Sequence, residues 1–234
     1  VGGLAGSNLG TITNTYASGA VSGSDKVGGL VGGNYGSATI SNSYAIGAVS
    51  SGGGLIGENN ATVTASFWDT ATTGQASGIN TGSSAGMTGL TTAQMQNPFS
   101  FINVGWDFAG IWGKSTSGAN DGYMMLRSLS TGLYDDYVAI GNGTRTYGDS
   151  NATITGATLT GVGTGNVSLT WGNAIASTTN AGTYNYSDPD IVSVTEIGPR
   201  TAYVDYSGAL TISQRVLSLT GGRTYDGSTD VAAG

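Results

Sequence analysis

The chain has 234 residues, 42 of them glycine and only 3 proline, with no Gly-X-Y period, so a collagen helix is excluded. Cysteine and histidine are both absent, which removes disulfides, thiolate metal sites and the commonest acid–base and metal-ligating side chain. Seven basic against fourteen acidic residues give a net charge of −7, the wrong sign for holding phosphate backbones or anionic lipid heads, and no apolar run approaches the roughly 20 residues of a bilayer-spanning helix.

Nucleic acid is therefore not an expected partner, and membrane insertion is not expected either. The abundance of Val, Ile, Thr and Tyr directs the reading to a folded all-β chain. Self-comparison finds a repeat at once. Val1-Gly-Gly-Leu-Ala-Gly6 returns as Val27-Gly-Gly-Leu-Val-Gly32, and again as Gly53-Gly-Leu-Ile-Gly57. A second block follows each: Thr11-Ile-Thr-Asn-Thr-Tyr16, Thr39-Ile-Ser-Asn-Ser-Tyr44 and Thr62-Val-Thr-Ala-Ser-Phe67. Because Val1 opens inside this pattern, the chain reads as an internal piece of something longer.

A unit of this size cannot bury an apolar face alone, but units stacked at the strand spacing of about 4.8 Å bring like residues into columns. The expected structural ladder is Leu4/Leu30/Leu55, Ile12/Ile40/Val63 and Tyr16/Tyr44/Phe67, with residues 1–66 forming a β-solenoid. Alternation along the second block places Ile12, Asn14 and Tyr16 on one face, and Asn14 over Asn42 is expected to form an amide ladder. The third unit, with Ala65 and Phe67 replacing Asn and Tyr, is expected to be an end repeat that need not close a full coil.

Gly29-Leu-Val-Gly32, the following Asn34, and Asn42-Ser-Tyr-Ala45 resemble the GLUG motif, which recurs in large exported bacterial surface proteins, notably filamentous-haemagglutinin-like adhesins. The resemblance implies a secreted or cell-surface protein, an outer-membrane secretion partner, and an architectural role.

Residues 67–137 change character. All four phenylalanines (Phe67, Phe99, Phe101, Phe108) and three of four tryptophans (Trp68, Trp106, Trp112) fall between positions 67 and 112. Open solenoid ends expose strand edges and core, so this segment is expected to be an aromatic-rich cap and linker. Thr91 and Gln94 form a capping-box pair for one short helical turn that Pro98 ends. A second use of the same residues is a glycan-stacking platform of Trp68, Trp106 and Trp112 with Asp107 taking hydroxyls; exposure separates the two readings.

Residues 138–214 alternate in short β runs separated by Gly, Asn, Asp and Pro, which predicts a small β-sandwich-like domain. Tyr147-Gly-Asp149, Asn180-Ala-Gly-Thr-Tyr184 and Gly208-Ala-Leu-Thr-Ile212 resemble MBG-type β domains. Arg145-Thr-Tyr-Gly-Asp149 is echoed by Arg223-Thr-Tyr-Asp-Gly227, so residues 215–234 read as the start of a further, YDG-like domain.

Chemistry finds little purchase. Asp135/Asp136 and Asp188/Asp190 are the candidate carboxylate pairs for glycoside hydrolysis, but the first pair diverges on a strand and the second flanks Pro189 in a turn. Asp188, Asp190 and Glu196 lack the loop pattern of a calcium site, and the Gly-rich strings precede no helix and lack a Gly-Lys-Ser/Thr ending. Asn60, Asn142, Asn151, Asn166 and Asn185 are sequons, which in a chain this rich in Asn, Ser and Thr arise readily by chance. The outward Thr11/Thr13, Thr39/Ser41 and Thr62/Thr64 array suits an ice-binding face, but threonine is also simply a good outward strand residue. No catalytic residue, cofactor or metal is assigned. The expected function is a non-catalytic stalk segment of a large exported adhesin, whose full-length form meets host or matrix glycan or protein and is open to self-association. The alternatives are a glycan-binding module and a solenoid polysaccharide-degrading enzyme; for the last, residues 1–90 offer few charged side chains.

Overall fold

A computed structural model describes residues 1–172 and 174–216, so the YDG-like echo at Arg223–Gly227 lies outside the described residues. The chain is all-β as expected. Strands β1 (Ala5–Asn8), β2 (Thr11–Thr13) and β3 (Tyr16–Ala17) come from the first repeat. Strands β4 (Val31–Asn34), β5 (Thr39–Ser41) and β6 (Tyr44–Ala45) come from the second, and β7 (Ile56–Asn59), β8 (Thr62–Thr64) and β9 (Ser66–Asp69) from the third. Each unit gives one strand to each of three parallel sheets, in register: Ala5↔Val31↔Ile56, Ile12↔Ile40↔Val63 and Tyr16↔Tyr44↔Phe67.

The leucine column exists as a backbone ladder. Leu4 N–H donates to the Leu30 carbonyl (2.8 Å), Leu30 to Leu55 (2.8 Å) and Leu55 to Gly78 (3.0 Å). Leu30, Leu55, Ile40 and Val63 lie in one core with Ala17, Ala45 and Trp68. Leu4 departs from expectation: its side chain is 47% exposed, because the first rung has no neighbour on its outer side among the described residues.

Two other expectations shift. Ile12 and Tyr16 do not share a face, and no side-chain hydrogen bond joins Asn14 to Asn42. Asn14 and Asn42 sit at φ 52° and 47°, and Ala65 at 41°, where asparagine is better tolerated than most residues, so the chain turns a corner there. The amide ladder runs instead through Asn8, Asn34 and Asn59. Past the corner Tyr16, Tyr44 and Phe67 emerge on the outer face of their sheet, away from the leucine core, while the next residues Ala17, Ala45 and Trp68 point inward.

The third unit closes fully, and a fourth, incomplete rung follows it. Strands β10 (Ile79–Gly82) and β11 (Met87–Leu90) extend two of the sheets by pairing with β7 and β9, whereas the β2-β5-β8 sheet ends at three strands. No Gly-Leu signature announces this rung. Trp68 occupies the interior position held by Ala45 one rung earlier, and a Cβ added at Gly54 or Gly78 would overlap its ring.

The short helices α1 (Thr92–Met95) and α2 (Phe99–Ile102) open the aromatic segment. Thr91 and Gln94 make the expected capping box, and Pro98 starts α2 as well as ending the chain's run from α1. A two-stranded ribbon of β12 (Trp112–Gly113) and β13 (Met125–Leu126) completes it. Of the expected cap, residues 67–137, β10 and β11 lie over the end of the third unit, but the part from α1 onward does not. That part covers the side, because the outward Tyr16/Tyr44/Phe67 column offers an apolar surface there that needs burying.

The final described part has eight strands: β14 (Asp136–Ile140), β15 (Gly143–Thr146), β16 (Leu159–Val162), β17 (Val167–Trp171), β18 (Gly182–Asn185), β19 (Val192–Glu196), β20 (Ala202–Asp205) and β21 (Ala209–Ser213). They form sheets ordered β16-β14-β20 and β15-β21-β18 and the ribbon β17-β19. Ile140, Tyr186, Ile191, Val192, Leu210 and Ile212 make their common core. The first two strands lie parallel to the last two, β14 with β20 and β15 with β21.

Candidate functional site

The stacked asparagines form the most regular polar feature. Asn8 Nδ2 donates to Asn34 Oδ1 at 2.8 Å, and Asn34 Nδ2 donates to Asn59 Oδ1 at 2.8 Å. All three are buried, at 6%, 0% and 1% exposure, so these amides satisfy one another out of water. Sequence reasoning placed the ladder at Asn14 and Asn42, six and eight positions after Asn8 and Asn34, although Asn8, Asn34 and Asn59 follow the same spacing as the leucines.

The aromatic cluster is built on the outer tyrosine column. Tyr16 and Tyr44 rings are stacked, 5.1 Å apart with planes 7° from parallel. Trp106 and Trp112 lie against Tyr44 and 4.6 Å from each other. The indole of Trp106 donates to the Ala65 carbonyl (2.9 Å) and that of Trp112 to Asn14 Oδ1 (3.3 Å), so the segment grips corners of the third and first units. Tyr44 donates to the Met124 carbonyl at 2.6 Å, and burial drives its hydroxyl pKa far above the ordinary value. Tyr123 donates to the buried Asp69 (2.7 Å), its pKa pushed up to about 12 by burial first and Asp69 second.

The tryptophan platform is not formed at the surface. Trp68, Trp106 and Trp112 are 7%, 3% and 0% exposed, because the first fills the stack interior and the other two cover the tyrosine column. Their ring faces meet protein, and Trp68 Nε1 is already donating to the Gln75 carbonyl (2.9 Å). Asp107 is exposed but acts as a turn residue, its Oδ1 accepting the Gly110 N–H at 2.8 Å.

Four of the five candidate carboxylates, Asp135, Asp136, Asp188 and Glu196, are also engaged structurally. Asp136 is buried and paired in two-point fashion with Arg200 (2.8 Å to each oxygen), which holds its carboxyl below the usual range, while Asp135 accepts from Thr201 N–H (3.0 Å). Asp188 Oδ1 accepts from Asp190 N–H (3.0 Å) and Glu196 from Ala202 N–H (2.8 Å); these acids do not converge on a metal-sized site among the described residues. Arg145, the first residue of the echoed motif, is buried and donates to the Asp149 (2.7 Å) and Ala176 (2.5 Å) carbonyls, a stapling role that nothing in its spacing announced. On the flank of the stack Lys26 and Tyr35 both contact Glu58, at 2.7 and 2.8 Å; the ion pair lowers the Glu58 pKa and raises that of Lys26.

Residues 26–50 match the GLUG motif. A protein of Evansella cellulosilytica, named a Gly-rich membrane protein, is 40% identical over 117 aligned residues that cover 44% of this chain and 13% of that protein. The match thus spans about an eighth of the relative's length. No solved structure matches the chain, and no helix among the described residues is long and apolar enough to cross a membrane.

Proposed function

We propose that the chain is a non-catalytic stalk segment of a large exported bacterial adhesin of the filamentous-haemagglutinin-like kind, displayed at or secreted from the cell surface. Its first 90 residues act as a short β-solenoid, the aromatic segment as a lateral clasp, and residues 138–214 as a sandwich-like spacer module. The observation that carries the reading is the unbroken parallel register of like residues from rung to rung, through which each added unit lengthens the stack by about 4.8 Å without changing its cross-section. The tryptophans most suited to stacking sugars are buried, which favours a spacer over a glycan-binding module. The GLUG match and the membrane-protein name of the relative agree with a place at the cell envelope.

The test is a spacer exchange in the full-length protein on the producing cell. Removing residues 1–216 should weaken attachment to the host or matrix surface, and an unrelated rod of equal length should restore it. Attachment that the unrelated rod does not restore would assign binding to this segment and refute the stalk reading.

A further inference from the structure

The stack has two chemically different ends. At the end nearer the aromatic segment the ladder is closed. Asn59 Nδ2 donates to the Ser83 carbonyl at 2.8 Å instead of to a fourth amide, and Trp68 fills the interior where the earlier rungs carry alanine. The β2-β5-β8 sheet stops there, with Gly86 (φ 78°) carrying the chain close against the Val63 carbonyl.

The opposite end is open in each of these respects. β1, β2 and β3 are each the terminal strand of their sheet. Leu4 and Leu9 are 47% and 76% exposed, and Tyr16, stacked on Tyr44 by one face, is only half-buried. Asn8 shows what is missing. Asn59 Oδ1 accepts both the Asn34 amide (2.8 Å) and the Ala61 N–H (3.3 Å), whereas Asn8 Oδ1 accepts the Gly10 N–H (3.1 Å) alone among the described residues. By the ladder's own geometry, in which each Oδ1 faces the preceding asparagine, the free acceptor site of this 94%-buried side chain points out of the stack along its axis.

We infer that this end is a docking surface whose chemistry fits one further rung of the same repeat. The rung's asparagine donates Nδ2 to Asn8 Oδ1, its tyrosine stacks on the free face of Tyr16, and its leucine covers Leu4. A second copy of the chain is a poorer occupant. Two such ends meeting about a twofold axis set Asn8 Oδ1 against Asn8 Oδ1, acceptor against acceptor, and the closed end offers no asparagine amide because Ser83 has taken it. The inference rests on the register of the rungs and stands whether or not the protein serves adhesion.

The experiment joins a copy of residues 1–26 ahead of Val1, which reproduces the natural Lys26–Val27 junction, and follows amide hydrogen exchange. The added unit's backbone amides at the positions of Ala5–Asn8 and Thr11–Thr13 should be slowed at least about tenfold relative to unfolded chain, and the protection of β1 and β2 in the parent should rise with them. Asn8→Ala in the added unit alone should abolish its protection while leaving β4 to β9 unchanged, which shows that the parent fold is intact. Exchange of the added unit at unfolded rates would overturn the inference. So would protection that survives Asn8→Ala, or a concentration-dependent dimer of the unextended chain that Leu4→Lys dissolves.

Discussion

Replacing Asn34 by alanine isolates the buried amide ladder. The substitution removes two side-chain hydrogen bonds of 2.8 Å, one accepted from Asn8 and one donated to Asn59, at a fully buried position. Two neutral bonds are worth about 1 kcal/mol each in net terms, and stranded partners add about 1–3 kcal/mol. The stranded groups keep second partners, Asn8 Nδ2 at the Thr39 carbonyl (3.2 Å) and Asn59 Oδ1 at the Ala61 N–H (3.3 Å), so the lower end of that addition applies. The expected loss is about 3 kcal/mol, which lowers a urea midpoint by roughly 1 M for a slope near 2–3 kcal/mol/M. Tryptophan fluorescence reads it directly, since Trp106 and Trp112 rest on the tyrosine column of the same units. The control is Ser41→Ala in the outward hydroxyl array, where Ser41 Oγ donates to Thr13 Oγ1 at 3.0 Å in water's reach, and where a cost within about 0.5 kcal/mol is expected. Equal midpoints for the two variants would refute the claim that the inner asparagines, and not the outer hydroxyls, hold the rungs in register.

Ala65 occupies the left-handed corner that Asn14 and Asn42 occupy in the earlier units. Ala65→Asn should therefore stabilise the fold by about 1 kcal/mol, seen as a higher melting temperature, and an unchanged or lower value would contradict strain at that corner. Arg200 depresses the Asp136 pKa below its ordinary 3.8, so the pair's contribution is present above about pH 4 and lost as pH falls through the folded value. The urea midpoint of Arg200→Gln should accordingly lose less than wild type between pH 5 and pH 2.5; parallel curves would dismiss the pairing as a stability determinant. Tension between residues 134 and 216 loads β14/β20 and β15/β21 along their length, because parallel neighbours are pulled by opposite ends. With thiol handles in a chain that has no cysteine of its own, this axis should unfold at clearly higher force than one through residues 135 and 165, which opens the antiparallel β14/β16 pair from one end. Equal forces along the two axes would remove the mechanical argument.

The columns of the repeat were legible because in-register stacking makes the spacing of the sequence the spacing of the structure. Leu30/Leu55, Ile40/Val63 and Tyr44/Phe67 pair as the spacing demands. What the pattern did not disclose was the corner at Asn14. Strict alternation assumes an extended chain through that residue, and one left-handed dihedral there turns the tyrosines from the inner face to the outer one. The burial of Trp106 and Trp112 follows from the same corner, because a sheet with two apolar faces needs two covers. β10 and β11 escaped notice since their rung is set by backbone pairing with Ile56, Glu58 and Ser66–Asp69, not by repeated side chains. In residues 138–214 the alternation that predicts short β runs matches strands such as Val167–Trp171, Ala202–Asp205 and Ala209–Ser213, whereas the buried Arg145 and Asp136 break the polar-outside rule and leave no periodic trace.

The two-faced sheet also decides how the parts are joined. Ala45 lines the stack interior while its neighbour Tyr44 sits at the centre of the aromatic cluster, so a single two-residue strand belongs to both cores. Neither core can loosen there without moving the backbone of the other. The same cluster reaches Tyr137 on β14, whose ring packs edge-on to Phe108 at 4.9 Å and whose hydroxyl accepts the Lys114 N–H at 2.7 Å, and Phe99 in turn meets Tyr203 on β20 at 6.5 Å. β14 and β20 are the parallel pair through which a pull from the repeat side enters the last module. Contacts therefore run from the corner at Asn14 to that pair through packed aromatic rings. In the proposed stalk role such continuity matters more at the joints than within the rungs, where the hydrogen-bonded ladders already supply it.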